Sequence, residues 1–222
     1  MASLPFDSLL EQADVCARAG QWQTTLELLS QAAALEPQHA GMVTGQGTCL
    51  IKLGRPTEAL DYFRRVTALA PASAEAHNNL GVNYAVLQDV PAAEGAYKKA
   101  LECAPDHEPA WKNLAQLYVE AGRFDEGVPL LSRYIRAHRE DAEALTLMAT
   151  CYEEGEDNES ALLMYKEALK YQPDNVLAKA GLARLAPAPD LTHIARPEHA
   201  KKLAAHKSLR VSKPGNTPAP KA

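Results

Sequence analysis

The chain has 222 residues and a formal net charge of −5, and 46% of its residues are hydrophobic. This composition is that of an ordinary globular protein, and the negative charge excludes a uniformly basic nucleic-acid binder. Aromatic residues make up only 6% of the chain, which favours helices packed through small side chains over a β-sandwich.

The first predicted helix follows a short leader, residues 1–5. The N-terminal segment has neither a basic start nor an apolar run of signal-peptide length, so no secretory signal is predicted. No apolar stretch is long enough to predict a membrane span. The four cysteines lie far apart without an accompanying histidine cluster, so we expect buried, reduced thiols and no zinc site. Together these features predict a cytoplasmic protein.

Regularly spaced prolines reveal an internal repeat. Pro37, Pro71 and Pro105 are 34 residues apart, and Pro173 lies two such steps beyond Pro105. Arg139 occupies the remaining slot. A fixed period of this length indicates that one supersecondary unit has been copied along the chain. With the slot placed at position 32, the predicted units are 6–39, 40–73, 74–107, 108–141 and 142–175.

Each unit contains two predicted helices. The first has apolar or small residues at positions 4, 7, 8 and 11, which share one helical face. This pattern is clearest in the fourth unit, with Trp111, Leu114, Ala115 and Tyr118. The second helix has apolar residues at positions 20, 24 and 27.

The turn between the two helices has its own signals. Gly20, Gly54 and Gly122 occupy position 15, where a helix often ends in a residue with positive φ. Aspartates that can cap the next helix follow closely in three units, namely Asp89, Asp125 and Asp157.

The fourth unit has two irregularities. Pro129 lies in its second helix, and if Asp125 is the N-cap, the proline sits in or just past the first turn and removes at most one hydrogen bond. Arg139 replaces the proline that follows the helix. We therefore expect this helix to run on or to end less sharply, which would loosen the junction with the fifth unit.

The segment Trp111-Lys-Asn-Leu-Ala-Gln-Leu-Tyr118, together with the downstream small, aromatic and proline positions, resembles the tetratricopeptide repeat family. The resemblance implies an all-α fold, a right-handed α–α superhelix of five helix-turn-helix units. Residues 176–186 are predicted to form a C-terminal cap helix. A cap is needed because each unit leaves an apolar face for its neighbour.

A search for catalytic and metal-binding motifs favours a binding protein over an enzyme. The sequence contains no Gly-rich phosphate loop, HExxH, GxSxG or paired-cysteine motif. The acidic cluster at residues 153–157 lacks the ligand spacing of a calcium loop and is interpreted as a solvated turn. We therefore predict no catalysis, no metal and no cofactor.

The family resemblance implies that positions 2, 5, 6, 9, 12 and 13 of each unit line a concave groove. Asn79 and Asn113 both occupy position 6, where asparagine grips the peptide backbone in relatives that hold extended peptides. A side-chain amide can donate and accept at the same time. The predicted peptide-groove residues are Asn78, Asn79, Lys112, Asn113, Gln116, Glu120, Glu143, Thr150 and Glu153.

Two alternatives bear on this groove. The same residues could be ordinary solvent-exposed positions. A clamp for the C-terminal carboxylate of a chaperone is disfavoured, because Glu143 and Leu147 stand where the family's clamp has lysine and arginine.

Residues 187–222 differ in composition from the rest of the chain. They contain six of the 15 prolines and carry a net charge of +5, so residues 1–186 carry −10. We expect this Pro-rich, basic tail to be disordered, because its last residues have little to bury. The predicted tail interaction residues are Lys201, Lys202, Lys207 and Arg210.

Three interpretations of the tail remain open. It could be a solubilising tail, or it could bind nucleic acid or an anionic membrane. It could also contact the acidic repeats of the same chain or of another copy, an interaction that salt would weaken.

The sequence therefore predicts a non-catalytic scaffold or adaptor that holds a peptide or extended segment of a protein partner. Two alternatives are an acidic chaperone for an aggregation-prone client and a regulatory subunit of a larger enzyme or assembly complex. Self-association through the tail or the exposed repeat ends is also compatible with the sequence. Fold-level resemblance does not identify the partner.

Overall fold

The structure is a computed structural model that describes residues 5–186, and this part of the chain contains eleven α-helices and no strand. The helices are α1 (Phe6–Arg18), α2 (Trp22–Leu35), α3 (Ala40–Lys52), α4 (Pro56–Leu69), α5 (Ala74–Val86), α6 (Val90–Cys103), α7 (Glu108–Glu120), α8 (Phe124–Ile135), α9 (Ala142–Glu154), α10 (Asn158–Tyr171) and α11 (Val176–Leu185).

The helices stack in chain order, and each of α1 to α9 contacts the helix that follows it. The odd-numbered helices α5, α7 and α9 also contact one another, so they form the inner layer of a curved stack and the even-numbered helices form the outer layer. The predicted all-α superhelix of five helix-turn-helix units with a terminal cap helix is confirmed. None of the helices within residues 5–186 has the length and apolar character needed to cross a membrane.

Small residues on the inner helices allow the aromatic rings of the outer helices to pack closely. A Cβ atom added to Gly47 would lie 2.9 Å from the ring of Phe63, and one added to Gly81 would lie 2.6 Å from the ring of Tyr97. Fully buried alanines such as Ala93 and Ala100 provide the same close approach elsewhere in the core. The abundance of alanine and the scarcity of aromatics therefore follow from helix-on-helix packing.

The turn inside each unit has a left-handed residue at position 15. Gly20, Gly54 and Gly122 have φ values of 72°, 73° and 68°, which confirms the positive φ predicted for them. Gln88 and Glu156 occupy the same position in the third and fifth units, with φ values of 60° and 63°. The turn geometry is thus common to all five units, although only three of them have the glycine that suits it.

The capping aspartates are confirmed in two of the three predicted cases. The side chain of Asp89 accepts a hydrogen bond from the backbone N–H of Ala92, and that of Asp157 accepts one from the N–H of Ser160. The prediction for Asp125 is wrong, because this residue lies two positions later in its unit, inside the first turn of α8. The N-cap of α8 is Arg123, whose side chain forms no capping hydrogen bond.

Because α8 begins at Phe124, Pro129 is its sixth residue and lies beyond the first turn. The missing N–H would have bonded to the carbonyl of Asp125, so one hydrogen bond near the start of the helix is lost. The helix nevertheless continues to Ile135.

The junction between the fourth and fifth units is distinct from the others. α8 does not run on; it ends two residues earlier in its unit than α4 and α6 do in theirs. Ala137 donates its N–H to the carbonyl of Tyr134, three residues back, so the last turn is tighter than an α-helical turn. Arg139 lies in the turn that follows.

The four cysteines are free thiols. Cys49 and Cys151 are buried, and burial raises the pKa of both, that of Cys151 to about 11. Cys16 and Cys103 are only partly buried, so the expectation of buried thiols holds for two of the four.

Candidate functional site: the inner groove

The inner layer of the stack contains two adjoining cavities of about 310 and 300 Å3. The first lies among α5, α6 and α7, and the second lies among α7, α9, α10 and α11. Gln116 borders both cavities, so they form one continuous surface, which we call the inner groove. Its lining comprises Val82, Ala85, Val86, Tyr97, Asn113, Gln116, Leu117, Val119, Glu120, Glu143, Thr146, Leu147, Thr150, Tyr165, Asn175, Leu177 and Arg184.

The predicted asparagines of the groove differ in their surroundings. Asn113 on α7 donates its amide N–H to the side-chain oxygen of Asn78 on α5, at 2.9 Å. Asn78 is 7% exposed, so this pair joins the two inner helices and leaves Asn113 with one further N–H and its oxygen. Asn79 is half-buried, and its amide forms no hydrogen bond with any other residue within 5–186. It lines neither cavity, so the structure does not bring this predicted residue into the inner groove.

Lys112 joins the fourth and fifth units. Its ammonium group donates to Glu108 at 2.7 Å and to Glu143 at 2.8 Å, and it lies 3.2 Å from Asp141. Partial burial acts to lower the pKa of Lys112, but hydrogen bonds to the three carboxylates outweigh it and raise the pKa above its ordinary value. Lys112 is therefore engaged within the fold, and the charge of Glu143 is balanced by this contact.

Gln116 and Glu120 lie where the two cavities meet. Both side chains are exposed, and Gln116 donates to Glu120 at 2.9 Å. Burial, together with the negative charge of Glu120, raises the pKa of Tyr97 to about 12. Glu120 forms no ion pair with any residue of the described segment, so its charge faces the groove uncompensated.

Glu153 and Thr150 lie at the far end of the groove, where α9, α10 and α11 meet. The hydroxyl of Tyr165 donates to Glu153 at 2.6 Å and lies 3.3 Å from that of Thr150. Arg184 of α11 donates twice to Glu153, at 2.7 and 2.8 Å. The hydrogen bonds from Arg184 hold the pKa of Glu153 below its ordinary value. The opposite charges of Glu153 and Arg184 balance each other, so this end of the groove carries little net charge.

Several groove residues were not predicted from the sequence. Tyr97 and Tyr165 extend from the outer helices to the groove, although the apolar pattern at position 24 predicts only packing. The signal for them is the tyrosine hydroxyl, because the second unit has phenylalanine at this position. Leu147 occupies position 6, one of the groove positions that the family resemblance implies. Leu177 and Arg184 have no signal in the sequence, because the stacking of α11 on the fifth unit brings them there. The predicted tail residues, Lys201, Lys202, Lys207 and Arg210, lie outside the described residues.

Comparison with known proteins identifies the family. Models of the tetratricopeptide repeat match residues 10–74, 46–108, 85–151 and 142–175, which together span all five helix pairs. The chain belongs to the tetratricopeptide repeat (TPR) family. TPR proteins bind protein partners, so the chain has the fold of a protein–protein interaction scaffold.

Curated relatives of this TPR chain are longer proteins. It is 28% identical over 123 residues to the tetratricopeptide repeat-containing protein trd-1 of Caenorhabditis elegans, covering 54% of the chain and 16% of the relative. It is 25% identical over 167 residues to the BBSome complex member BBS4 of Bos taurus, and this match covers 75% of the chain and 32% of BBS4. It is 29% identical over 136 residues to the anaphase-promoting complex subunit 7 of Arabidopsis thaliana, covering 61% and 24%. The TPR chain thus spans a third or less of these relatives.

Solved structures share the TPR fold at low sequence identity. A tetratricopeptide repeat protein from Parabacteroides merdae superimposes with a TM-score of 0.71 at 17% identity, covering 94% of the chain and 80% of that protein. The MamA protein superimposes with a TM-score of 0.65 at 18% identity, covering 82% of the chain and 96% of MamA. YrrB, described as a TPR protein with an unusual peptide-binding site, gives 0.64 at 20% identity, covering 82% and 100%.

Proposed function

We propose that this TPR chain is a non-catalytic scaffold that binds an extended peptide segment of a protein partner in the inner groove. The observation that carries the proposal is the continuous surface across α5, α7, α9 and α11, where apolar recesses alternate with amide and carboxylate side chains.

The amides of the groove suit a peptide backbone. An extended segment presents N–H and C=O groups that need partners once water is displaced. Gln116 can donate and accept, and Asn113 keeps part of this capacity after pairing with Asn78. These side chains bind backbone without selecting a particular sequence.

The apolar recesses supply contacts for the side chains of the bound segment. Val86 is 48% exposed in the first cavity, and Leu177 is 71% exposed in the second. Leu147 lies half-buried beside Leu177 in the second cavity. Burying such surface contributes about 25 cal/mol per Å2, so one apolar side chain in each recess would anchor the segment.

Charge adds a preference for a basic residue. Glu120 lies uncompensated between the cavities, while Glu143 and Glu153 are balanced by Lys112 and Arg184. Residues 1–186 carry a net charge of −10, which steers basic segments towards this surface. The preferred ligand is thus an extended segment with apolar residues on either side of a lysine or arginine.

Two of the relatives support an adaptor role within an assembly. They are described as a member of the BBSome complex and as a subunit of the anaphase-promoting complex. A chain that matches 32% and 24% of the length of such proteins is suited to hold one component of a complex.

Affinity purification from the source cells tests the proposal. We expect Asn113→Ala/Gln116→Ala to lower recovery of the partner about tenfold, because each lost hydrogen bond contributes about 0.5–1.5 kcal/mol. Gln31→Ala removes an exposed amide from α2 and serves as the matched control. Mass spectrometry should show proteins retained by the wild type and the control but lost by the double variant. Equal recovery by all three would exclude the inner groove.

A further inference from the structure

A second recess lies between the outer helices α8 and α10, over Leu145 and Met148 of α9. It has a volume of about 460 Å3, and we call it the outer cleft. Its floor is apolar and includes Ile135, Met148 and Met164, and its rim carries Arg136, Arg139 and Tyr171. Tyr171 is 42% exposed, although aromatic rings in a core of this kind are usually covered.

The irregular junction between the fourth and fifth units produces this rim. Arg136 follows the last residue of α8, and Arg139 stands where the other four units have proline. Both arginines are exposed, and both also border a larger cleft of about 860 Å3 on the loop side of the junction. The substitution of proline by arginine thus adds a cation where an apolar recess opens.

The charges around the outer cleft leave these two arginines unpaired. Glu167 is the carboxylate that lines the cleft, and it forms an ion pair with Lys170. In the adjoining cleft, Lys112 engages the carboxylates of residues 108, 141 and 143, and Glu140 is exposed. Neither Arg136 nor Arg139 forms an ion pair with any residue within 5–186. Two guanidinium groups without an ion pair therefore stand at the rim of an apolar floor.

We propose that the outer cleft binds an acidic segment of a second protein partner, with an apolar side chain of that segment resting on the methionine floor. Guanidinium groups bind carboxylates through two parallel hydrogen bonds, and their weak hydration favours such pairs at interfaces. Methionine side chains adapt to apolar groups of different shapes. The two guanidinium groups on the rim repel a lysine or arginine side chain placed there, so the two sites select different ligands.

The outer cleft and the inner groove share no lining residue, although α9 and α10 contribute side chains to both. Occupation of one therefore leaves the other open. A scaffold with both sites holds two chains of opposite charge side by side. The outer cleft does not depend on the inner groove being a peptide site.

The test starts with selection from a displayed library of random twelve-residue peptides. The selection uses the Asn113→Ala/Gln116→Ala variant of the full chain, so that binders of the inner groove are depleted. We expect the enriched peptides to combine aspartate or glutamate with leucine, phenylalanine or methionine. Enrichment of basic peptides, or of no class at all, would overturn the proposal.

The second step measures the affinity of a synthetic peptide with the enriched sequence. Arg136→Gln/Arg139→Gln should weaken its binding at least tenfold. Lys166→Gln/Lys179→Gln removes the same charge from exposed positions outside the cleft and should change the affinity less than twofold. Equal losses in the two variants would show attraction to net charge alone and refute a specific cleft.

The methionines provide a direct footprint in the unmutated chain. The full sequence has four of them, and Met148 and Met164 lie in the outer cleft, whereas Met42 is buried in α3 at the other end of the stack. With 13C-methyl labelling, the peptide should shift the resonances of Met148 and Met164 and leave that of Met42 in place. Shifts confined to other methyl groups would contradict the proposal. So would a dimer in solution that disappears in Arg136→Gln/Arg139→Gln, because the occupant would then be a second copy.

Discussion

Gly81 on α5 faces the ring of Tyr97 on α6 across a gap that admits no side chain. The fifth unit has Ala149 at the equivalent position, and there the ring of Tyr165 lies against Gly181 of α11 instead. The position of a glycine thus determines where each aromatic ring rests, and with it how closely an inner and an outer helix approach.

Replacing Gly81 by alanine tests this contact. A Cβ atom 2.6 Å from the ring of Tyr97 would force the ring or the helix to move, so we expect the free energy of unfolding to fall by about 1–3 kcal/mol. Gly95 lies on the exposed face of α6 with no atom within 4 Å of an added Cβ, and Gly95→Ala should stabilise the chain by about 0.5–1 kcal/mol. Urea denaturation measures both. A Gly81→Ala variant as stable as the wild type would show that the contact is not tight.

The left-handed residues at position 15 give a second prediction. Gln88 has a φ of 60°, where an L side chain costs about 1 kcal/mol, so Gln88→Gly should raise the free energy of unfolding by up to that amount. Gly54→Ala places a side chain at a φ of 73° and should lower it by a similar amount. In thermal unfolding, the midpoint temperature should rise for Gln88→Gly and fall for Gly54→Ala. A change in the same direction for both variants would contradict the common turn geometry.

At the scale of elements, the contact of α6 with the following pair depends on one carboxylate. Glu94 accepts from Arg123 and Lys98, both at 2.6 Å, and from the hydroxyl of Tyr118 at 3.1 Å. The side chain of Glu94 is only 14% exposed. Hydrogen bonds, first from Arg123 and then from Lys98 and Tyr118, lower the pKa of Glu94 to about 2.

The pH dependence of stability follows from this pKa. In the unfolded chain Glu94 titrates near its ordinary value of 4.5, and in the folded chain near 2. A lowered pKa in the folded state stabilises the fold fully above the unfolded value, and this contribution is lost as the pH falls from 4.5 towards 2. Glu94→Gln should therefore destabilise the chain by about 1–3 kcal/mol at pH 7 and by progressively less below pH 4.5.

The control for this prediction is Glu11→Gln, which removes an exposed carboxylate from α1. Its stability relative to the wild type should stay nearly constant over the same pH range. If the difference in free energy of unfolding between Glu94→Gln and the wild type did not shrink from pH 4.5 to pH 2, the contact between Glu94 and Arg123 would be contradicted.

The sequence alone predicts which segments are helices and where each turn lies, because the 34-residue period repeats the same local signals. It does not predict how neighbouring units meet. Asp125 lies at position 18 of its unit, two residues after the N-cap position that Asp89 and Asp157 occupy, so residue type alone predicts a cap that does not form. The pairing of Asn113 with Asn78 and the contact of Arg184 with Glu153 depend on stacking geometry, which periodicity does not specify.

At the scale of the whole molecule, the TPR stack presents two surfaces of different charge. The inner groove combines amides, apolar recesses and the uncompensated Glu120, whereas the outer cleft combines an apolar floor with Arg136 and Arg139. The first surface follows from the repeat pattern. The second arises at the one junction where arginine replaces proline, so a departure from the repeat marks a feature particular to this chain.

The central claim is that the inner groove holds an extended segment of a partner. Isothermal titration of the captured partner's segment against the wild type, Asn113→Ala/Gln116→Ala and Gln31→Ala tests it most directly. We predict a Kd about tenfold higher for the double variant and unchanged for Gln31→Ala, with circular dichroism showing the same helix content in all three. A double variant that binds the segment as tightly as the wild type would contradict the claim.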